Sequence, residues 1–189
     1  MSSKKVFWFT FLTIAIAFFL TSNGGAQQSS PKTKPPVITN SFAVEKGQYG
    51  YVWKIYIEAE DPDGDMNRIY YVIDQPGAGR YPYNWIMVKP QYRSHFKGYI
   101  QWNTFSSRGP LRDWTYIKLT LSIIDKAGNE SNEVVFPFSF ESGIKDQYRY
   151  QLPAPFDEGN LPRIGYIHTD LFDPAMADRG DRDIWPDSQ

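Results

Sequence analysis

Two stretches of the chain alternate apolar and polar residues with a period of two. Tyr51, Trp53, Ile55, Ile57 and Ala59 fall on one side of a strand whose other side carries Lys54, Glu58 and Glu60. Ile117, Leu119, Leu121 and Ile123 alternate in the same way with Lys118, Thr120 and Ser122. Period two places each apolar set on a single face of an extended strand, so these two strands predict the centre of a core. The same reading predicts strands over 37–44, 49–60, 67–74, 85–89, 97–103, 114–125 and 133–140, separated by turn-forming residues. In the last of these, Val134, Phe136, Phe138 and Phe140 share a face, and Pro137, which cannot donate to a ladder, marks an open edge. No helix of useful length and no internal repeat is predicted. Seven short strands with regular turns predict an all-β, antiparallel sandwich.

The flanks read differently. Lys4 and Lys5, the uncharged run 6–20 and the small residues Gly24, Gly25 and Ala26 have the form of an export signal over 1–26, with an uncleaved membrane anchor as the other reading. Either places the remainder outside the cytoplasm, periplasmic or extracellular, and only the anchor brings in the membrane. Residues 27–36 read as a flexible linker and 37–141 as the sandwich. Residues 142–189 form an extended, proline-rich, acidic arm. Prolines 153, 155, 162, 174 and 186 exclude a long helix there, yet Phe156, Ile164, Ile167, Phe172 and Trp185 are too apolar for a solvated tail. These five are expected to anchor the arm, either on its own domain or on a partner. Arg163–Thr169 is a candidate for adding a strand, with the edge at Pro137 as one place for it.

Composition narrows the function classes. There is no cysteine, so stability rests on packing without disulfides. Without Lys4 and Lys5 the formal charge of −1 falls by two, to −3, and no phosphate-binding glycine motif is present, which argues against nucleic acid. His95 and His168 lack zinc-ligand spacing, and no serine sits in a nucleophile-elbow pattern, so the chain reads as non-catalytic.

The turns Asp61-Pro62-Asp63-Gly64-Asp65 and Asp125-Lys126-Ala127-Gly128-Asn129 each follow one of the long strands. With those strands, they make 36–141 resemble bacterial immunoglobulin-like and cadherin-like modules. The resemblance implies an immunoglobulin-like sandwich in which the two turns emerge at the same pole. Asp61, Asp63, Asp65 and Asp125 would then offer oxygen ligands to calcium in a cadherin-like geometry; turn chemistry alone explains the same residues. The loop is not an EF-hand, since Val72 stands where a bidentate Glu is required.

A second candidate surface lies in 75–102, where aromatic and basic residues interleave. Tyr83, Trp85 and Tyr92 are its candidates for contacting a protein partner or stacking on a sugar ring. The functional expectation is an exported binding or structural module of the cell envelope that holds a protein through its loops or arm. A carbohydrate-binding module using exposed aromatics is the alternative.

Overall fold

The computed structural model describes residues 33–48, 50–77, 79–104, 115–141, 143 and 150–172. The export segment, most of the linker and Trp185 lie outside the described residues. The fold is an immunoglobulin-like β-sandwich of two sheets. Its strands are β1 (Val37–Ala43), β2 (Lys46–Gly47), β3 (Val52–Glu60), β4 (Met66–Gln75), β5 (Gly79–Arg80), β6 (Asn84–Met87), β7 (His95–Asn103), β8 (Tyr116–Asp125), β9 (Val134–Phe140) and β10 (Arg163–Ile167). One sheet runs β1-β3-β7-β10; the other runs β2-β9-β8-β4-β5, with β6 also paired to β4.

The alternation in the sequence is the alternation of the core. Trp53, Ile55, Ile57 and Ala59 from β3 are fully buried, as are Ile117, Leu119, Leu121 and Ile123 from β8. They face each other across the space between the sheets, together with Ile69, Ile100, Trp102 and Phe138. Each large side chain there contributes on the order of 1.5–3 kcal/mol by leaving water. The two buried indoles also satisfy their N–H groups. Trp53 Nε1 donates to the carbonyl of Val44 (2.8 Å) and Trp102 Nε1 to that of Thr169 (3.1 Å).

Two features depart from the antiparallel sandwich ending at residue 141. Each sheet contains one parallel pair, β2 with β9 and β10 with β7. And the four-stranded sheet is completed from beyond 141: β10 lies against β7, with Ile167 opposite Trp102. The arm therefore supplies a strand of the domain, and it does so at β7 rather than at the edge marked by Pro137. Near that proline, β9 pairs with β8 on one side, and on the other β2 reaches only Ser139 and Phe140.

Before becoming β10, the arm crosses the outer face of the four-stranded sheet. Phe156 is 1% exposed and its ring lies 5.8 Å from that of Tyr56. Tyr150 meets Phe42 at 6.2 Å. Burial, reinforced by the neighbouring Tyr150 hydroxyl, pushes the Tyr56 hydroxyl well above the usual phenol range. Lys97 donates to Glu158 at 2.6 Å, which holds its ammonium above the ordinary lysine value.

The close approach of the arm is written into two glycines. A Cβ on Gly98 would collide with the carbonyl oxygen of Pro162 and lie 2.8 Å from the Ile164 side chain; one on Gly165 would collide with Ile86 of β6. Past β10 the chain is held by Gln75, which is 1% exposed. Its Nε2 donates to the carbonyl of Phe172 (2.7 Å), while the Phe172 N–H is shared between Gln75 Oε1 (3.2 Å) and the Tyr81 hydroxyl (2.7 Å).

Candidate binding face and acidic pole

The two acidic turns do meet. The Lys126 N–H donates to the carbonyl of Asp65 at 3.1 Å, which joins the β3–β4 turn to the β8–β9 turn. Gly64 and Gly128 hold φ of 71° and 92°, the left-handed region that glycine enters at least cost. Within the first turn, Asp61 is 3% exposed and its carboxylate accepts from the N–H groups of Asp63 (2.9 Å) and Asp65 (3.1 Å). Within the second, Asp125 is 2% exposed and accepts from the backbone N–H (2.8 Å) and side-chain amide (2.7 Å) of Asn129. Asp63 accepts from the N–H of Lys34 at 2.6 Å.

Asp61 and Asp125 thus clasp their own turns, and Asp63 ties the segment before β1 to the pole. Asp65 is the exception, because its Oδ1 is shielded from solvent and has no hydrogen-bond partner. Desolvation raises its pKa above the usual value of 3.8, with a hydrogen bond to Asp61 and the charges of Asp125, Asp61 and Asp63 adding to the effect. Among the described residues, no group of three or more acidic or histidine side chains is placed to hold a metal ion.

The aromatic segment divides. Tyr92 closes a short 3-10 turn, Pro90–Tyr92, packs against the core and meets Phe96 edge-on at 6.4 Å. Its ring is half-buried and serves the domain itself. Tyr83 and Trp85 instead stand out from the six-stranded sheet, 62% and 49% exposed, with Met87 at 52%. Strand pairing explains their company: Trp85 lies opposite Tyr70 of β4, and Met87 opposite Arg68. The Tyr70 and Trp85 rings are 6.1 Å apart. The guanidinium of Arg68 lies over Trp85 (5.4 Å), and that of Arg80 over Tyr83 (5.3 Å) while also donating to its hydroxyl (3.0 Å).

Beside these rings is a cleft of about 310 Å³, whose lining includes Tyr70, Tyr83, Thr120, Ser122, Glu130 and Glu133. Val72, 3% exposed and opposite Thr120 in the ladder, forms its floor. Ser122 donates to Glu130 at 2.6 Å and fixes that carboxylate at the cleft. Sequence reasoning selected Tyr83 and Trp85 but missed Tyr70, Glu130 and Glu133 as parts of one surface, because β4, β6 and the β8–β9 turn are joined only by tertiary pairing.

Of the five arm anchors, Phe156, Ile164 and Ile167 are buried and Phe172 is half-buried. Trp185 lies outside the described residues. His168 and Asp170 line a second hollow of about 390 Å³ beside Asn103 and Tyr166. His95 is exposed on β7, 3.5 Å from Glu58.

Fold and face together describe an immunoglobulin-like sandwich with one aromatic, arginine-flanked outer face. The chain matches no family model and is similar in sequence to no curated protein. Among solved structures it is similar to the PKD domain of an M14-like peptidase from a Thermoplasmatales archaeon. The identity is 17%, with 58% of this chain and 98% of that chain covered and a TM-score of 0.39.

Proposed function

We propose that the chain is an exported, non-catalytic binding module of the cell envelope, and that its protein-contact surface is the outer face built by β4, β6 and β8. The observation that carries this reading is the exposure of Tyr83, Trp85 and Met87 together beside a cleft, in a domain whose other outer face is covered by its own arm. Aromatic residues, methionine and arginine are enriched in protein interfaces, and Trp, Tyr and Arg dominate their energetics. Met87 and the guanidinium groups of Arg68 and Arg80 share this face with the two rings, and these are residue types enriched at protein interfaces. That favours a protein over a glycan.

Photo-cross-linking from position 87 in envelope extract tests the proposal. One or a few proteins should cross-link, and the Tyr83→Ser, Trp85→Ser double variant should lose them while melting normally. An unchanged cross-linking pattern in the double variant would refute the protein-contact face. Selective, Trp85-dependent retention on a glycan array would replace it with the carbohydrate reading.

A further inference from the structure

The charge around the cleft is unevenly settled. The basic side chains beside it are engaged: Arg68 and Arg80 lie over aromatic rings, and Arg80 and Lys118 both approach Asp74, at 3.9 and 3.6 Å. Among the described residues, no lysine or arginine lines the cleft itself. Glu130 and Glu133 do line it, and neither makes an ion pair with a described residue. The Ser122 hydroxyl bonds one oxygen of Glu130 and leaves its charge uncompensated. Two glutamates with no ion-pair partner among the described residues therefore line a concavity together with Tyr70 and Tyr83.

We propose that this cleft receives a cationic side chain, lysine or arginine, from an extended segment of a partner protein. The proposal rests on the protein-contact reading of the same face and adds the chemistry of its occupant. A cation entering here is met by both carboxylates. Glu130 and Glu133 accept charge-assisted hydrogen bonds from it, which are about twice as strong as neutral ones. A neutral sugar would use the carboxylates only as ordinary acceptors, and an acidic segment would be repelled by both.

The test uses the full mature chain, isotopically labelled, and three probes: a capped Gly-Ser-Arg-Ser-Gly peptide, the same peptide with Gln in place of Arg, and cellopentaose. The Arg peptide at millimolar concentration should shift the backbone amides of Tyr70, Thr120 and Ser122, and the Gln peptide should not. Glu130→Gln with Glu133→Gln should weaken binding at least about ten-fold, as should raising salt well above the physiological level. Thr120→Lys, which fills the cleft with a cation of its own, should abolish the response in a protein that melts like the wild type.

Equal shifts with the Gln peptide, no shift with the Arg peptide, or binding indifferent to both the Gln variants and Thr120→Lys would each overturn the cationic occupant. A response confined to cellopentaose would overturn it in favour of a glycan. If the Arg peptide fails while the Trp85-dependent cross-link persists, the occupant is wrong and the protein-contact face stands. If both fail, the face itself is lost.

Discussion

The two outer faces of the sandwich solve the same problem in opposite ways. On the four-stranded sheet, Phe42, Tyr56 and Tyr99 are overlaid by residues 150–162 of the same chain, with Phe156 almost fully buried among them. On the six-stranded sheet, Tyr83, Trp85, Met87 and Val135 stay in water at about half of their full exposure or more. Both faces carry apolar rings, so hydrophobicity does not separate them. What separates them is whether the chain spends its own residues on the cover. A face covered from within reads as stability, and one left open beside a cleft reads as contact with something else.

Removing the cover gives the largest expected effect. A chain ending at Glu141 loses Phe156, Ile164 and Ile167 from buried positions, each on the order of 1.5–3 kcal/mol. The truncated domain should lose several kcal/mol in a denaturant titration, enough to unfold it if its stability is at the low end of the usual range. A normal melt would show that the arm is ornamental and that the two faces are alike. Gly98→Ala tests the same docking more gently. Its Cβ must displace the Pro162 carbonyl or lift β10, and overpacking of this kind costs about 1–3 kcal/mol. Hydrogen exchange should then rise first in β10 and at Trp102 Nε1.

On the open face the expectation reverses. Trp85→Ser should change stability by no more than about 0.5 kcal/mol, as surface substitutions usually do, yet weaken partner binding by about 2 kcal/mol or more. Equal losses in stability and binding would make Trp85 a packing residue and dissolve the contrast.

The smallest effect belongs to the acidic pole, which lies between the two patterns. Because the folded protein raises the pKa of Asp65 above 3.8, its ionisation costs stability. Stability therefore falls as pH rises from 3.8 through the raised pKa, and the full penalty is present above it. In chelator near neutral pH, Asp65→Asn should melt higher than wild type, by no more than about 2–4 °C, and the gap should close as pH falls towards 3.8. Repeating the scan in millimolar calcium tests the pole as a cation site. A gain in the wild type that Asp65→Asn lacks would mean that the metal relieves this carboxylate.

The strands of the sandwich were legible because burial enforces period two on their inner faces: every second residue from Trp53 to Ala59 and from Ile117 to Ile123 is buried, while Tyr56 and Ser122 are also covered, from the outer side. The meeting of the two Asp-rich turns followed from the immunoglobulin-like resemblance, not from their spacing. Pairing partners were not legible. Periodicity announces that 163–167 can be a strand, but nothing in those residues distinguishes the edge of β7 from that of β9. The deciding features, Gly98 and Gly165, look like ordinary glycines until the opposing backbone is in place. The same holds for the binding face. Tyr83 and Tyr92 are equivalent as letters, and only the turn at Pro90–Tyr92 directs one of them to the core. Gln75, 97 residues from the Phe172 it holds, gave no local signal of that role.

The parallel seat of β10 also sets a clock on biosynthesis. Strands β1, β3 and β7 are all made well before their last neighbour, and roughly 60 residues separate the end of β7 from the end of β10, on the order of 3–12 s of translation at about 5–20 residues per second. Throughout that interval the β7 edge is open to pairing with any nascent or newly released chain. Only a polypeptide made through Ile167 can close it, so the seating of β10 reports that synthesis has passed the arm's docking strand.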